Sequence, residues 1–483
     1  MKDVKGRMRE KVGVLGLYLF SFFSLLSVTL AYCGIVLMAF ALALKAISKR
    51  RAEKFFVPGG TMSFAPCPPT GRPCLPEGRT SWPSMVFSPL AALFVASVAF
   101  IALEAWRGAS LLPGTWDEQL NEGLKFARLW LFLLPAVWID GREQRALISL
   151  LLCLAGLVTG MLLALDQDMI QGVLSGERTG FHLRITPFGL YSATSILGLI
   201  LFWPRIGQGM KPLSRMFART CAALAFLVLL QGLIATQARG AWLALSISIL
   251  VIAVLRSSTG KHKFKNFTPL VIVAVTLVLL NFNFIKERVL LQIEEFRANR
   301  EYAMDQIPST GIGHRLHLYA FAIYKWREHP LLGWGAGSTE RLIAQSGRED
   351  LKITSWKGDR VWFDHLHSLY FELLVRFGLM GLLLFGATAF YLLFRVWKAR
   401  PLKMEQPGEG AGLAPAMSED IWLFTLGVFI MAAAWNLFDF RLLHWDWRFY
   451  WMVAWGSGFG LVIQPSIGQA SSLFSTQGAV SRQ

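Results

Sequence analysis

Apolar residues run along this chain in blocks of roughly 20, the length an α-helix needs to cross the hydrocarbon core of a bilayer. The blocks fall at 12–30, 31–47, 86–105, 126–140, 146–166, 188–203, 217–237, 240–256, 267–285, 368–394, 421–438 and 449–463. The pattern predicts an all-α polytopic membrane protein of about 12 transmembrane helices. The stretch 12–47 reads either as one long broken helix or as a tight pair broken near Gly34. It is far longer than the core of a signal peptide and is expected to be retained.

One long segment interrupts the blocks, giving a division into 1–286 (helices one to nine), the loop 287–367, 368–464 (helices ten to twelve) and a polar tail, 465–483. The loop is not featureless. Leu316, Tyr319, Ala320, Ile323 and Trp326 recur at intervals of three and four, which predicts an amphipathic helix buried on that stripe. Pro330 stops it, and the glycine-rich LLGWGAG follows as a tight turn.

Composition sharpens the class. Of 483 residues 54% are hydrophobic and 16% charged, against about 25% charged in soluble domains. That excludes a soluble enzyme, a disordered chain and a DNA-binding domain, although the net charge of +17 would suit nucleic acid on a soluble protein. The charge is sorted by side. With the N-terminus inside, the segments 1–11, 45–80, 140–145, 204–219, 256–265, 395–420 and the tail hold 27 of the 48 basic residues and 10 of the 31 acidic ones. The other side is left with 21 of each, and a basic excess marks the cytoplasmic face. Both termini are therefore expected in the cytoplasm, with the long loop outside.

Cysteines add little. Cys33, Cys153 and Cys221 lie inside apolar blocks as small packing residues, and Cys67 and Cys74 in CPPTGRPC match no common zinc spacing. Gly333, Gly335 and Gly337 precede no Lys-Ser/Thr pair, so a nucleotide P-loop is not supported. Acidic residues are scarce at the block centres, which argues against a proton-coupled transporter.

The unusual polar groups gather at the outer ends of the spans: Arg184 in FHLRITPFG, Arg239 in TQARGAW, Arg315 at the start of the loop helix, His365 and His367 in DHLHSLYF, and Asp439 in WNLFDFR. An arginine at a span end ordinarily snorkels to the headgroups, and His-x-His with Asp364 has a metal reading whose further ligands are not evident. Arg239 resists the bland reading, because it sits in a turn of a few residues on the side without basic excess. Several arginines suit a lipid-linked diphosphate, and a histidine suits proton abstraction from a hydroxyl.

These motifs resemble the O-antigen ligase family, part of the superfamily that also holds O-antigen polymerases and some protein O-glycosyltransferases. His367-Ser368 with Gly378 and Gly381 is similar to the family's His-Asn/Ser/Gln signature and its spaced glycines. TQARGAW is similar to a Ser-Arg-Gly span start with Ala238 for the serine, and GIGHRLHLYAFAIYKWREHPLLGWGAG to an Arg-containing helix followed by Pro-Leu-Leu-Gly-x-Gly. The likeness covers about 180–440, and the first 180 residues match in hydrophobic pattern alone.

The resemblance implies a GT-C-like fold in the bacterial inner membrane. It also implies a metal-independent, cofactor-free, inverting transfer of glycan from undecaprenyl diphosphate to a lipid A–core sugar at the periplasmic face. By residue, it implies Arg239 and Arg315 on the diphosphate and His367 as base, with Arg184, Asp439 and His365 in looser supporting positions. The expected partners are those two substrates and membrane lipids, with no nucleic acid. A polysaccharide polymerase using the same donor is the nearest rival, and a lipid-linked glycan flippase the rival of another class.

Overall fold

The computed structural model describes residues 2–54, 89–257, 281–301, 311–354, 359–401 and 417–463, with isolated positions between 258 and 280. Its helices are α1 (Lys2–Phe23), α2 (Val28–Lys54), α3 (Pro89–Leu111), α4 (Trp116–Ala127), α5 (Leu133–Ile139), α6 (Glu143–Leu163), α7 (Gln167–Leu174) and α8 (Ile185–Phe202). They continue as α9 (Pro212–Thr236), α10 (Arg239–Ser257), α11 (Phe282–Glu301), α12 (Gly311–Glu328), α13 (Thr339–Gln345), α14 (Leu369–Lys398), α15 (Glu419–Trp435) and α16 (Trp445–Ile463). One short hairpin, Lys352–Thr354 paired antiparallel with Arg360–Trp362, completes the described chain. The protein is an all-α, multi-pass membrane protein, and seven of the described helices are long and apolar enough to cross a bilayer.

Several expectations change in detail. The stretch 12–47 is a pair, but it breaks at 24–27 and not near Gly34. Gly34 lies where α2 crosses α1, so close that a Cβ there would sit 2.7 Å from the Gly16 carbonyl oxygen. The block 126–140 is not one continuous helix. A 3-10 segment, Arg128–Phe132, separates α4 from α5, and α5 restarts so that Pro135, which lacks an N–H, falls in its first turn. The block 267–285 lies largely outside the described residues.

Helices α8 and α16 are buried along most of their length and form the middle of the bundle. Aromatic stacking reinforces it: Trp435 lies on Trp447 at 5.3 Å and 6°, and Trp451 on Trp455 at 5.1 Å and 5°. Leu163, Leu213, Phe217, Leu250 and Phe390 point away from the protein, an apolar surface suited to lipid. Segments that the charge pattern puts on one side also meet at one end. Glu10 pairs with Arg142 and Arg145, Arg205 with Glu143 and Asp420, and Arg256 with Asp420.

At the other end the loop docks into a break in α14. Gly378 has φ 61° and ψ −163°, a conformation open essentially to glycine alone. There the N–H groups of Leu379 and Met380 donate to the carbonyls of Pro330 (2.9 Å) and Leu331 (3.0 Å). The freed carbonyls of Val375 and Arg376 accept from the N–H groups of Trp334 and Gly335, both at 2.8 Å. The glycine-rich turn thus replaces the two helical hydrogen bonds that the break removes. Gly333 permits the approach, because a Cβ there would lie 2.6 Å from the Arg376 carbonyl carbon. Arg107, paired with the fully buried Glu104, fixes the turn from α3 by donating to the carbonyls of Leu332 (2.8 Å) and Gly333.

The loop helix α12 forms as predicted but buries a different face. Gly313, His317, Leu318, Phe321 and Ala322 are inward, while Ile323 is exposed. The shift has a polar cause: buried His317 finds Asp350 at 3.1 Å, so a histidine occupies the core stripe.

Gly378→Ala should place a Cβ 2.4 Å from the Leu331 carbonyl and force a non-glycine residue into that backbone region. We expect a loss of about 1–3 kcal/mol, read as a lower melting temperature in detergent. An unchanged melting temperature would show that the break is not a structural requirement.

Candidate active site at the loop end

The break in α14 leaves a short outer segment of that helix carrying two opposite charges one turn apart. Glu372 is 0% exposed and Arg376 4% exposed, with Arg376 Nε donating to Glu372 Oε2 at 2.6 Å. Such a pair is tolerable away from water only when its remaining hydrogen-bonding positions are filled. Glu372 accepts from the Thr339 hydroxyl (2.8 Å) and from the Leu366 N–H (2.7 Å). Arg376 donates to Glu122 (3.1 Å) and to the Ala336 carbonyl (2.5 Å). One ion pair therefore ties α4, the glycine-rich turn, α13 and the segment 364–368 to α14.

The Leu366 contact sets the histidines. With Leu366 held inward, His365 and His367 flank it, and His367 takes φ 53°, a left-handed backbone uncommon outside glycine. Their rings lie 4.3 Å apart. Phe363 meets His367 edge-on at 5.3 Å, and the Tyr319 hydroxyl donates to the Leu437 carbonyl at 3.1 Å, bracing the loop after α15. Asp439 comes from that loop. His365, His367 and Asp439 offer atoms within 4.8 Å of one another, a spacing that three ligands of a divalent ion can adopt.

The two histidines have opposite electrostatics. Burial works against a charge on His365, but its Nδ1 contacts the Asp364 carboxylate, which outweighs burial and holds the imidazole above its ordinary pKa. The hydrogen bond from His365 in turn keeps Asp364 ionised far below the usual carboxylate range. Burial pushes His367 down to about 2, assisted by the positive charges of His365, Arg315 and Arg441. His367 is thus a neutral imidazole, able to accept a proton, set among cations.

Arg315 and Arg441 are both within electrostatic reach of His367, and Arg315 is half-buried. Arg184 is exposed and caps α8, where it acts with Arg441 on His444; burial and those two charges push His444 down to about 4. Arg239 opens α10 after the left-handed Gln237 and is half-buried. The adjoining Gly240 packs on Trp435, and the next residue, Asn436, accepts the Leu369 N–H at 3.0 Å. Arg239 therefore joins the same end of the bundle through α15, whereas His365, His367, Asp439 and Arg315 form one direct neighbourhood.

Within that chain, residues 224–386 match the family model described as O-antigen ligase. That segment is similar to the O-antigen ligase family. The match spans about a third of the sequence, and a comparison with curated proteins gives no match. The matched segment contains Arg239, Arg315, His367, the glycine-rich turn and the Gly378 break, while Arg184, Asp439 and Arg441 lie outside it.

Sequence reasoning passed over Arg441, Glu372 and Arg376. The signal for the pair was present, since Glu and Arg four apart inside an apolar block are costly unless matched. Arg441 stands two residues after Asp439 in the same outer loop and carried no periodic signal. Its Nε is shielded from solvent and has no hydrogen-bond partner among the described residues, a donor left over for something else.

Asp364→Asn should lower the titration midpoint of His365, because burial would then act without the opposing carboxylate. Histidine-selective NMR in detergent should show the midpoint falling below 6.5. An unchanged midpoint would mean that Asp364 does not control this imidazole.

Proposed function

We propose that the chain is an O-antigen ligase, transferring glycan from undecaprenyl diphosphate to a lipid A–core sugar at the periplasmic face of the bacterial inner membrane. The observation that carries this reading is the neutral His367 set beside Arg315 and Arg441, in a chain whose residues 224–386 match the O-antigen ligase family model. The +17 excess on the segments that the sequence pattern assigns to the cytoplasm supports the same orientation, with both termini cytoplasmic.

In the proposed reaction an acceptor hydroxyl oxygen attacks the anomeric carbon as its proton passes to His367. The bond from that carbon to the diphosphate oxygen breaks on the opposite face, inverting the centre, and the electron pair stays on the diphosphate. Arg239, Arg315 and Arg441 would meet the growing charge, with Arg184 nearer the rim. A dianionic donor would also offset the cations that depress His367, raising its basicity once the donor is in place. The reaction needs no nucleotide, because the donor carries the activated bond.

An apolar cavity supports the lipid-linked donor. It begins at Leu369 and Tyr370, two and three residues past His367, and runs along Leu373, Phe385 and Leu392 with Trp451 across from them. That lining suits a polyprenyl tail whose headgroup stays at the histidine end.

His367→Ala should insert and fold yet fail to build a lipopolysaccharide ladder in a ligase-deletion strain. A full ladder would remove His367 from the role of base. Arg239→Lys and Arg315→Lys should each lose at least tenfold in turnover despite the retained charge, since lysine lacks the planar fork. Near-normal rates in purified lysine variants would return both arginines to headgroup contacts.

The His365–His367–Asp439 cluster makes metal dependence a direct question. We expect exhaustive EDTA treatment to leave transfer within twofold of the untreated rate. Loss of activity restored by a divalent ion would instead assign the cluster to a metal.

A further inference from the structure

Beside the histidine pair lies a second cavity, polar where the first is apolar. It is enclosed by α4, the start of α13, the 364–365 segment and the loop before α16. Its ionic lining is Glu118, Glu122, Lys125, Glu340, Asp364 and Arg376, and His365 and His444 complete the wall.

The charges in this wall do not cancel. Arg376 is held by Glu372 and Glu122, and Lys125 pairs with Glu122 at 2.5 Å. Asp364 is matched by His365. Glu118 and Glu340 remain, with no ion-pair partner among the described residues. They stand near enough to each other that burial and the charges of Asp364 and Glu118 push the Glu340 carboxyl up. The Nε2 of His365 is also shielded from solvent and has no hydrogen-bond partner among the described residues.

We propose that this cavity receives the acceptor, and that the unit it receives is an uncharged, hydroxyl-rich sugar. The assignment rests on the transferase reading above. Sugar hydroxyls are donors, and ionised carboxylates are their strongest acceptors. A phosphate or uronate in the same place would face two uncompensated carboxylates, so anionic units are turned away. The donor diphosphate is excluded on the same ground and left to the arginines. His365 forms part of this wall and its ring lies 4.3 Å from that of His367, so an occupant abuts the proposed base.

The experiment uses the full-length protein in nanodiscs, with labelled undecaprenyl-diphosphate glycan and two acceptors that differ in one terminal unit, a neutral hexose or a hexuronic acid. The variants are Glu118→Ala/Glu340→Ala and the near-isosteric Glu118→Gln/Glu340→Gln, with melting temperature as the folding control. The alanine pair should raise the KM for the neutral acceptor about tenfold or more and leave the donor KM within twofold. The glutamine pair should keep the neutral acceptor within about threefold and admit the anionic acceptor that the wild type refuses.

Acceptor binding without donor, followed by saturation-transfer NMR, reads the cavity apart from turnover. Binding that the alanine pair abolishes, in a protein that transfers nothing, would overturn the transferase reading and keep the cavity. An unchanged acceptor KM, a donor KM that rises in parallel, or continued refusal of the anionic acceptor by the glutamine pair would each overturn the proposal. So would stoichiometric Mg2+ or Ca2+ binding that is lost in either pair, which would make the cavity a cation site.

Discussion

A helix inside a membrane cannot break without finding new partners for the backbone groups it releases, because hydrocarbon supplies none. Gly378 breaks α14, and the rest of the loop end follows from how that break is repaired. Two carbonyls and two N–H groups of α14 are satisfied by the segment 330–335. The glycine-rich turn is therefore a plug for the helix, and its glycines serve backbone-to-backbone contact. This explains a motif that looks like a phosphate loop yet lacks its lysine. It also explains why the turn and the spaced glycines of α14, about 45 residues apart in sequence, lie within one family match.

The repair determines where polar groups can stand. Once the loop is seated, one face of the short outer segment of α14 is buried, and the Glu372–Arg376 pair lies on that face. Removing one partner of such a pair costs about 3–5 kcal/mol, because the other is left charged and buried. The pair is thus an anchor whose arms reach Leu366, Thr339, Ala336 and Glu122. Leu366 matters most. It fixes the chain between the two histidines, and the left-handed backbone of His367 is the strain this geometry stores at the site.

The membrane class, the sorting of charge between two ends and most of the helices were legible in the sequence, because lipid imposes a length and a composition on every span. The segment 128–139 was less legible: its hydropathy is that of a span, but hydropathy does not register a 3-10 turn followed by Pro135. The loop helix was placed correctly and turned wrongly, since a periodicity of apolar residues cannot know that His317 will be paired by Asp350, 33 residues away. At the site, the isolated charges stood out because bilayers exclude them. Glu372 and Arg376 did not, because they hide as a matched pair inside an apolar block. Arg441 had no local signature, and its importance comes from the fold of the 436–444 loop over the histidines.

The even balance of 21 basic and 21 acidic residues on the loop side conceals a local division. Around His367 the cations Arg315 and Arg441 stand with the Asp439 carboxylate, while the cavity walled by His365 holds the unmatched Glu118 and Glu340. The proposed transfer would use that separation. Its leaving group would gain negative charge on a diphosphate that already carries two, while its nucleophile would be a neutral hydroxyl, so one uniform electrostatic environment cannot suit both. A histidine pair stands at the boundary: His365, whose proton affinity Asp364 raises, marks the acidic side, and His367, kept neutral by burial with the help of its cationic neighbours, remains free to take a proton.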